Sequence, residues 1–96
     1  MLYRITAKEL FVNERVVIEV RPTLNSFTAF THKVRPFLGS LFDTRDAAIA
    51  ALGCVAKDLS PSVTDFRVER YEGSLVGVTF DPYEIEAIKY FENLTK

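Results

Sequence analysis

The stretch Phe42-Asp43-Thr44-Arg45-Asp46-Ala47-Ala48-Ile49-Ala50-Ala51-Leu52 is where the chain changes period. Before it, apolar and polar residues alternate, as on strands with one wet face. From Asp43 onward the apolar residues recur every three or four positions, as on one side of a helix. Ala48, Leu52, Val55 and Leu59 fall on one stripe, flanked by Ile49 and Ala56, while Arg45, Asp46, Lys57 and Asp58 fall outside it. Ser60-Pro61 ends the run, because proline disfavours helical geometry in the residue before it. Sixteen residues of helix span about 24 Å. Five alanines give this helix a thin side suited to lying close on a sheet. Gly53 within it costs about 1 kcal/mol relative to Ala, and is expected to mark a close packing contact.

The start of this helix has an echo. Phe42-Asp43-Thr44-Arg45-Asp46 returns 38 positions later as Phe80-Asp81-Pro82-Tyr83-Glu84, each behind a glycine, Gly39 and Gly77. An Asp at a strand-to-helix junction accepts hydrogen bonds from first-turn N–H groups that lack helical partners. Asp43 and Asp81 are therefore expected as N-caps, with Thr44 as the alternative at the first site. Asp46 and Glu84, three residues on, suit a capping box and the helix dipole. Pro82 fits the first helical position, and Phe80 can staple against Ile85. Paired carboxylates act as acid and base when one is desolvated and its pKa rises, whereas backbone N–H donors lower it. Folding accounts for both motifs. The spacing also suggests two strand–strand–helix units, residues 26–59 and 64–95.

Outward from these motifs the strands follow. Tyr3, Ile5 and Ala7 alternate with Arg4, Thr6 and Lys8; Val16, Ile18 and Val20 alternate with Val17, Glu19 and Arg21. Residues 2–21 read as a β-hairpin interrupted at Lys8-Glu9, with Asn13-Glu14 at the turn. Pro22 to Asn25 turns the chain into a third strand over residues 26–34. Its core face is either Phe27-Ala29-Thr31 or Thr28-Phe30-His32. A short fourth strand over 37–42 contains Gly39, which marks a bulge or a close backbone approach. A fifth covers 65–71 and a sixth 76–80, joined by Glu72-Gly73-Ser74. The last segment, 82–94, is a helix with Ile85, Ile88, Phe91 and Leu94 inward and Glu84, Glu86, Lys89 and Glu92 outward. The expected fold is one α+β domain over residues 1–96: a mainly antiparallel sheet of five or six strands with both helices on one face, in the order β-β-β-β-α-β-β-α.

Composition narrows the function. The chain of 96 residues is 48% hydrophobic and 26% charged with a formal charge of −1, which supports a packed core and provides no general attraction to polyanions. Residues 1–45 carry a net +3 and residues 46–96 a net −4, a polarity that can orient a charged partner. The single cysteine cannot close an intramolecular disulfide, and Met1-Leu2-Tyr3-Arg4 opens on a strand pattern without a signal-peptide profile. No run is apolar enough to span a bilayer. The expectation is a cytoplasmic, non-membrane monomer or small homo-oligomer.

One His and one Cys cannot furnish a structural zinc site, and the four glycines form no phosphate loop, so no metal and no cofactor is expected. Cys54 falls mid-helix, where a thiol is normally buried and inert. Phe30-Thr31-His32-Lys33-Val34-Arg35-Pro36-Phe37 interleaves basic and aromatic groups. Such a segment can stack bases and neutralise phosphates, or simply place aromatics inside and charges outside.

Residues 26–59 also support a family comparison. Phe27-Thr28-Ala29-Phe30 on a strand, Pro36 and Gly39 before a short strand, and Asp43-Thr44-Arg45-Asp46-Ala47-Ala48-Ile49 opening a helix together resemble the HicB-like antitoxin core. That family carries a G-x-T-x-E-E-A-x-x-N signature at the helix start and blocks a small RNA-cleaving toxin, often with an added DNA-binding segment. Ala47 and Ala51 stand here where the signature has its second Glu and its Asn, and no helix-turn-helix pattern follows. The resemblance implies a protein partner and carries over no functional residue.

The expected function is a non-enzymatic binding protein of inhibitor, antitoxin or regulatory-subunit type, with no catalytic residue assigned. Arg15, Arg21, His32, Lys33 and Arg35 are its candidate interaction residues. A second reading makes them a nucleic-acid surface centred on residues 30–37, and a third is a small enzyme with its site near His32.

Overall fold

The protein is described from a computed structural model over residues 1–33, 39–73 and 82–96. The elements are β1 (Leu2–Glu9), β2 (Glu14–Pro22), β3 (Phe27–Lys33), α1 (Arg45–Val55) with a 3-10 turn (Ala56–Asp58), β4 (Val63–Tyr71) and α2 (Pro82–Leu94). The fold is α+β, and among the described residues the sheet has four antiparallel strands in the order β3-β2-β1-β4. The sixth strand expected over 76–80 lies outside the described residues, as does the Asp81 cap.

Of the expected fourth strand, the described residues 39–42 form a wedge rather than a paired strand. β1 and β2 are paired only from Thr6↔Val17 to Glu9↔Glu14. Beyond that point residues 40–42 occupy the space between them. Phe42 exchanges two backbone hydrogen bonds of 2.8 Å with Tyr3 of β1, while Ser40 donates its N–H to Ile18 O and accepts from Val20 N–H of β2. Ser40 and Phe42 are both fully buried. A short insert thus satisfies the backbone groups that splaying would leave bare. Gly39 leads into it with φ +93, and a Cβ there would stand 3.0 Å from Val17 Cβ. The close approach expected of Gly39 is present.

One hydrophobic cluster holds the sheet to the helices: Ile5, Ala7, Val16, Ile18 and Val20 from the strands, Ala47, Ala48, Ala51 and Val55 from α1, and Ala87, Ile88 and Phe91 from α2. The thin alanine side of α1 packs inward as its composition implied. The core face of β3 is the one carrying Phe27 and Ala29, because Phe27 stacks on Phe91 and Tyr90 at 4.8 and 4.9 Å. Helix α2 turns differently from its expected phase. Glu84, Ala87, Ile88 and Phe91 are buried, whereas Ile85 and Leu94 are 36% and 60% exposed. The aromatic stack around Phe91 fixes this rotation, and Glu84 moves from the outer to the inner side. Its carboxylate stays in the first turn, where the helix dipole favours it.

Two cap and packing expectations are also corrected. Thr44, not Asp43, is the N-cap of α1: its Oγ1 accepts from Ala47 N–H at 3.1 Å. The Asp43 N–H instead donates to Glu92 Oε1 at 2.7 Å, tying the start of α1 to α2. Asp46 lies exposed in the first turn. Gly53 makes no close contact, since nothing lies within 4 Å of a Cβ built on it. The two glycines should therefore respond oppositely. Gly39→Ala meets both a left-handed backbone and the Val17 side chain, and should lower stability by about 2 kcal/mol. Gly53→Ala should raise it by about 1 kcal/mol. Urea unfolding midpoints with unchanged m-values check both.

Candidate interaction surfaces

Strand alternation places the apolar row of each strand against the helices and its polar row on the opposite face. Arg4 and Thr6 of β1, Arg15, Glu19 and Arg21 of β2, His32 of β3, and Arg67 and Glu69 of β4 share that second face through the register. Three of the residues expected to form an interaction surface, Arg15, Arg21 and His32, are brought together on it. Lys33 ends β3 exposed, beside Arg15, Arg4 and Thr6 in a shallow depression. Arg35 lies outside the described residues.

Most of these charges are engaged. Arg15 donates through Nη1 to Asp65 Oδ2 at 2.7 Å, and through Nη2 to Asp65 O and Thr6 Oγ1 at 2.9 Å. Arg67 reaches the same Asp65 carboxylate at 3.0 Å. Asp65 adopts φ 52, at the point where β4 slips register against β1 between Thr6 and Lys8. That bulge turns its carboxylate toward both guanidiniums. Glu19 is buried, pairs with Arg21, and lies 3.2 Å from His32 Nε2. Glu19 divides its carboxylate, Oε1 to Arg21 and Oε2 facing His32, and His32 Nε2 makes no hydrogen bond of good geometry among the described residues. Two aromatic rings on this face lie under guanidiniums: Arg21 stands 5.4 Å above Phe30, and Arg4 stands 5.6 Å above Tyr71.

A second surface went unassigned as functional in the sequence. The β1–β2 connection presents Leu10, Phe11 and Val12 at 53%, 89% and 56% exposure. Asn13 closes the turn with φ 54, the positive φ that asparagine tolerates. The tip is braced rather than loose. Glu9 Oε1 accepts from Phe11 N–H at 2.8 Å, and Glu9 Oε2 accepts from Ser62 Oγ at 2.9 Å. Leu10 N–H donates to Ser62 O at 2.9 Å. An open cleft beside it is lined by Leu10, Phe11, Ser60, Pro61 and Ser62. The signal was present locally as three large apolar residues where turn chemistry calls for polar ones.

Among the described residues no group of three or more His, Cys, Asp or Glu is placed to hold a metal ion, and no helix is long and apolar enough to cross a membrane. Cys54 is half-buried against the core. No family model, curated protein or solved structure matches this chain.

The Arg15–Asp65–Arg67 cluster has a measurable pH signature. Partial loss of hydration pushes the Asp65 carboxyl up, but Arg67 and Arg15 more than offset it and hold it below the ordinary aspartate range. A depressed folded-state pKa adds stability above the unfolded value, and that stability is lost as pH falls through the folded value. Asp65→Asn keeps a residue tolerant of positive φ and removes the titration. The variant should lose stability at neutral pH, and its urea midpoint should decline less than that of the parent below about pH 5.

Proposed function

We propose that the protein is a non-enzymatic binding module of the inhibitor, antitoxin or regulatory-subunit class, engaging a protein partner through the Leu10-Phe11-Val12 tip. The observation that carries this reading is a consecutive apolar triplet held exposed by hydrogen bonds from Glu9 and Ser62. Burying such a tip releases hydration free energy of about 25 cal/mol per Å² of apolar surface. Prior ordering reduces the entropy lost on association. Phe11 is the natural anchor, a single aromatic entering a pocket, and the adjoining cleft offers room for a reciprocal side chain.

The charges nearest the tip favour a protein over a membrane. Glu9 and Glu14 flank it on the two strands, and carboxylates there oppose an anionic bilayer surface. They complement a partner pocket with a basic rim. The polar face is less suited to nucleic acid than its arginine content implies. Arg15, Arg21 and Arg67 have carboxylate partners, and the Phe30 and Tyr71 rings each already have a guanidinium over one face.

A photoreactive residue at position 11, introduced in the native cell, should give one discrete adduct with a partner polypeptide. Leu24, 96% exposed at the opposite end of β2, is the control. Phe11→Asp should abolish recovery of that partner while changing stability by no more than about 0.5 kcal/mol, as expected for a solvent-exposed site. Leu24→Asp should leave recovery intact. Equal recovery by both variants would overturn the assignment.

A further inference from the structure

We infer that the depression bounded by Arg4, Arg15 and Lys33 on the polar face is a binding site for a small phosphate monoester. Its volume is about 490 Å³, and its other walls are Thr6, Glu14 and Glu69. This falls within the usual size of ligand sites and leaves room for an organic body beyond a phosphate group.

The donors are oriented before any ligand arrives. Arg15 is fixed by its bonds to Asp65 and Thr6, and its Nε remains a buried donor without an acceptor. Arg4 is more telling. Its guanidinium lies over the Tyr71 ring, its Nε is likewise buried without an acceptor, and no carboxylate among the described residues pairs with it. Glu69 stands directly opposite Arg4 in the β1–β4 register, yet its Oε1 accepts from Thr6 Oγ1 at 3.0 Å instead. Buried N–H donors left unmet are costly, and a guanidinium presents a planar fork that matches an oxyanion. Lys33 completes the set as an exposed ammonium at the rim, with no ion-pair partner among the described residues.

The carboxylates on the walls define the rest of the ligand. Glu14 and Glu69 accept hydrogen bonds, so they suit hydroxyl or amino groups on the body that bears the phosphate. They also repel any second anionic group. Three cations interleaved with two carboxylates therefore select a hydroxyl-rich molecule bearing a single phosphate group over a polyphosphate or a nucleic-acid strand, whose charges repeat along the backbone. This site is separate from the hairpin tip and does not depend on it.

The test is an NMR titration of the full chain with inorganic phosphate, a hexose monophosphate and a single-stranded oligonucleotide, following the arginine Nε–H resonances. The hexose monophosphate should shift the Arg4 and Arg15 signals saturably and bind more tightly than inorganic phosphate. Lys33→Ala, at an exposed position, should weaken that binding about tenfold without altering the fold, and Arg4→Gln should weaken it further. Unmoved Arg4 and Arg15 signals with both phosphates would overturn the site. Equal affinity for the two phosphates would overturn the ligand class, as would tighter, steeply salt-dependent binding of the oligonucleotide.

Discussion

The two backbone hydrogen bonds between Tyr3 and Phe42, together with those of Ser40 to Ile18 and Val20, govern the geometry of the molecule. A hairpin whose strands separate after four residue pairs would leave unpaired N–H and C=O groups in its interior. The wedge of residues 40–42 meets them from both sides. It also delivers Phe42 into the core, where the ring sits edge-on to Phe91 of α2 at 6.5 Å. Two residues later Thr44 caps α1. The position of the first helix, its contact with the second and the splay of the central strands thus depend on one short insert, and Gly39 is the residue that allows the chain to enter it.

The sheet built on this insert divides labour between its faces and its end. One face is consumed by the helices. The other carries a lattice of arginines and carboxylates in which the bulge at Asp65 and the buried Glu19 hold guanidiniums in fixed orientations. Fixed guanidiniums lose little entropy on meeting an anion, and Arg4, stacked over Tyr71 with no carboxylate partner among the described residues, is held in this way. At the hairpin end the same economy applies to apolar groups, since Glu9 and Ser62 order the backbone that displays Phe11. In both places polar contacts within the protein hold the groups they support in fixed orientations.

How much of this was legible depended on how local each cause is. The hairpin, the helix after Phe42 and its thin alanine side follow from periodicity within a dozen residues, and all are present. The N-cap was narrowed to Asp43 or Thr44, and the choice rests on which oxygen reaches Ala47 N–H. The phase of α2 escaped because apolarity alone favours Ile85 and Leu94 over Glu84 and Ala87, and only the packing of Phe27 against both Tyr90 and Phe91 turns the latter pair inward. The face of β3 stayed open for the same reason, with a phenylalanine on each side. Arg15, Arg21 and His32 were identifiable as charged strand residues. The partners of Arg15 and His32, namely Thr6, Asp65 and Glu19, were not, because those pairings cross the sheet, Arg15 meeting Asp65 across 50 positions of sequence.

By itself the sequence determined the α+β class, the position of each described element to within a few residues, and the polarity of the faces of β1, β2 and β4, since these depend on side-chain period and on turn and capping chemistry. Tertiary structure alone decided that residues 40–42 form a wedge between β1 and β2, that Glu84 turns inward, that Gly53 faces open space, and that Arg4 keeps a donor without an acceptor. The reason is the same in each case. Such outcomes depend on which distant atoms arrive within a few ångströms, and neither period nor propensity encodes that distance.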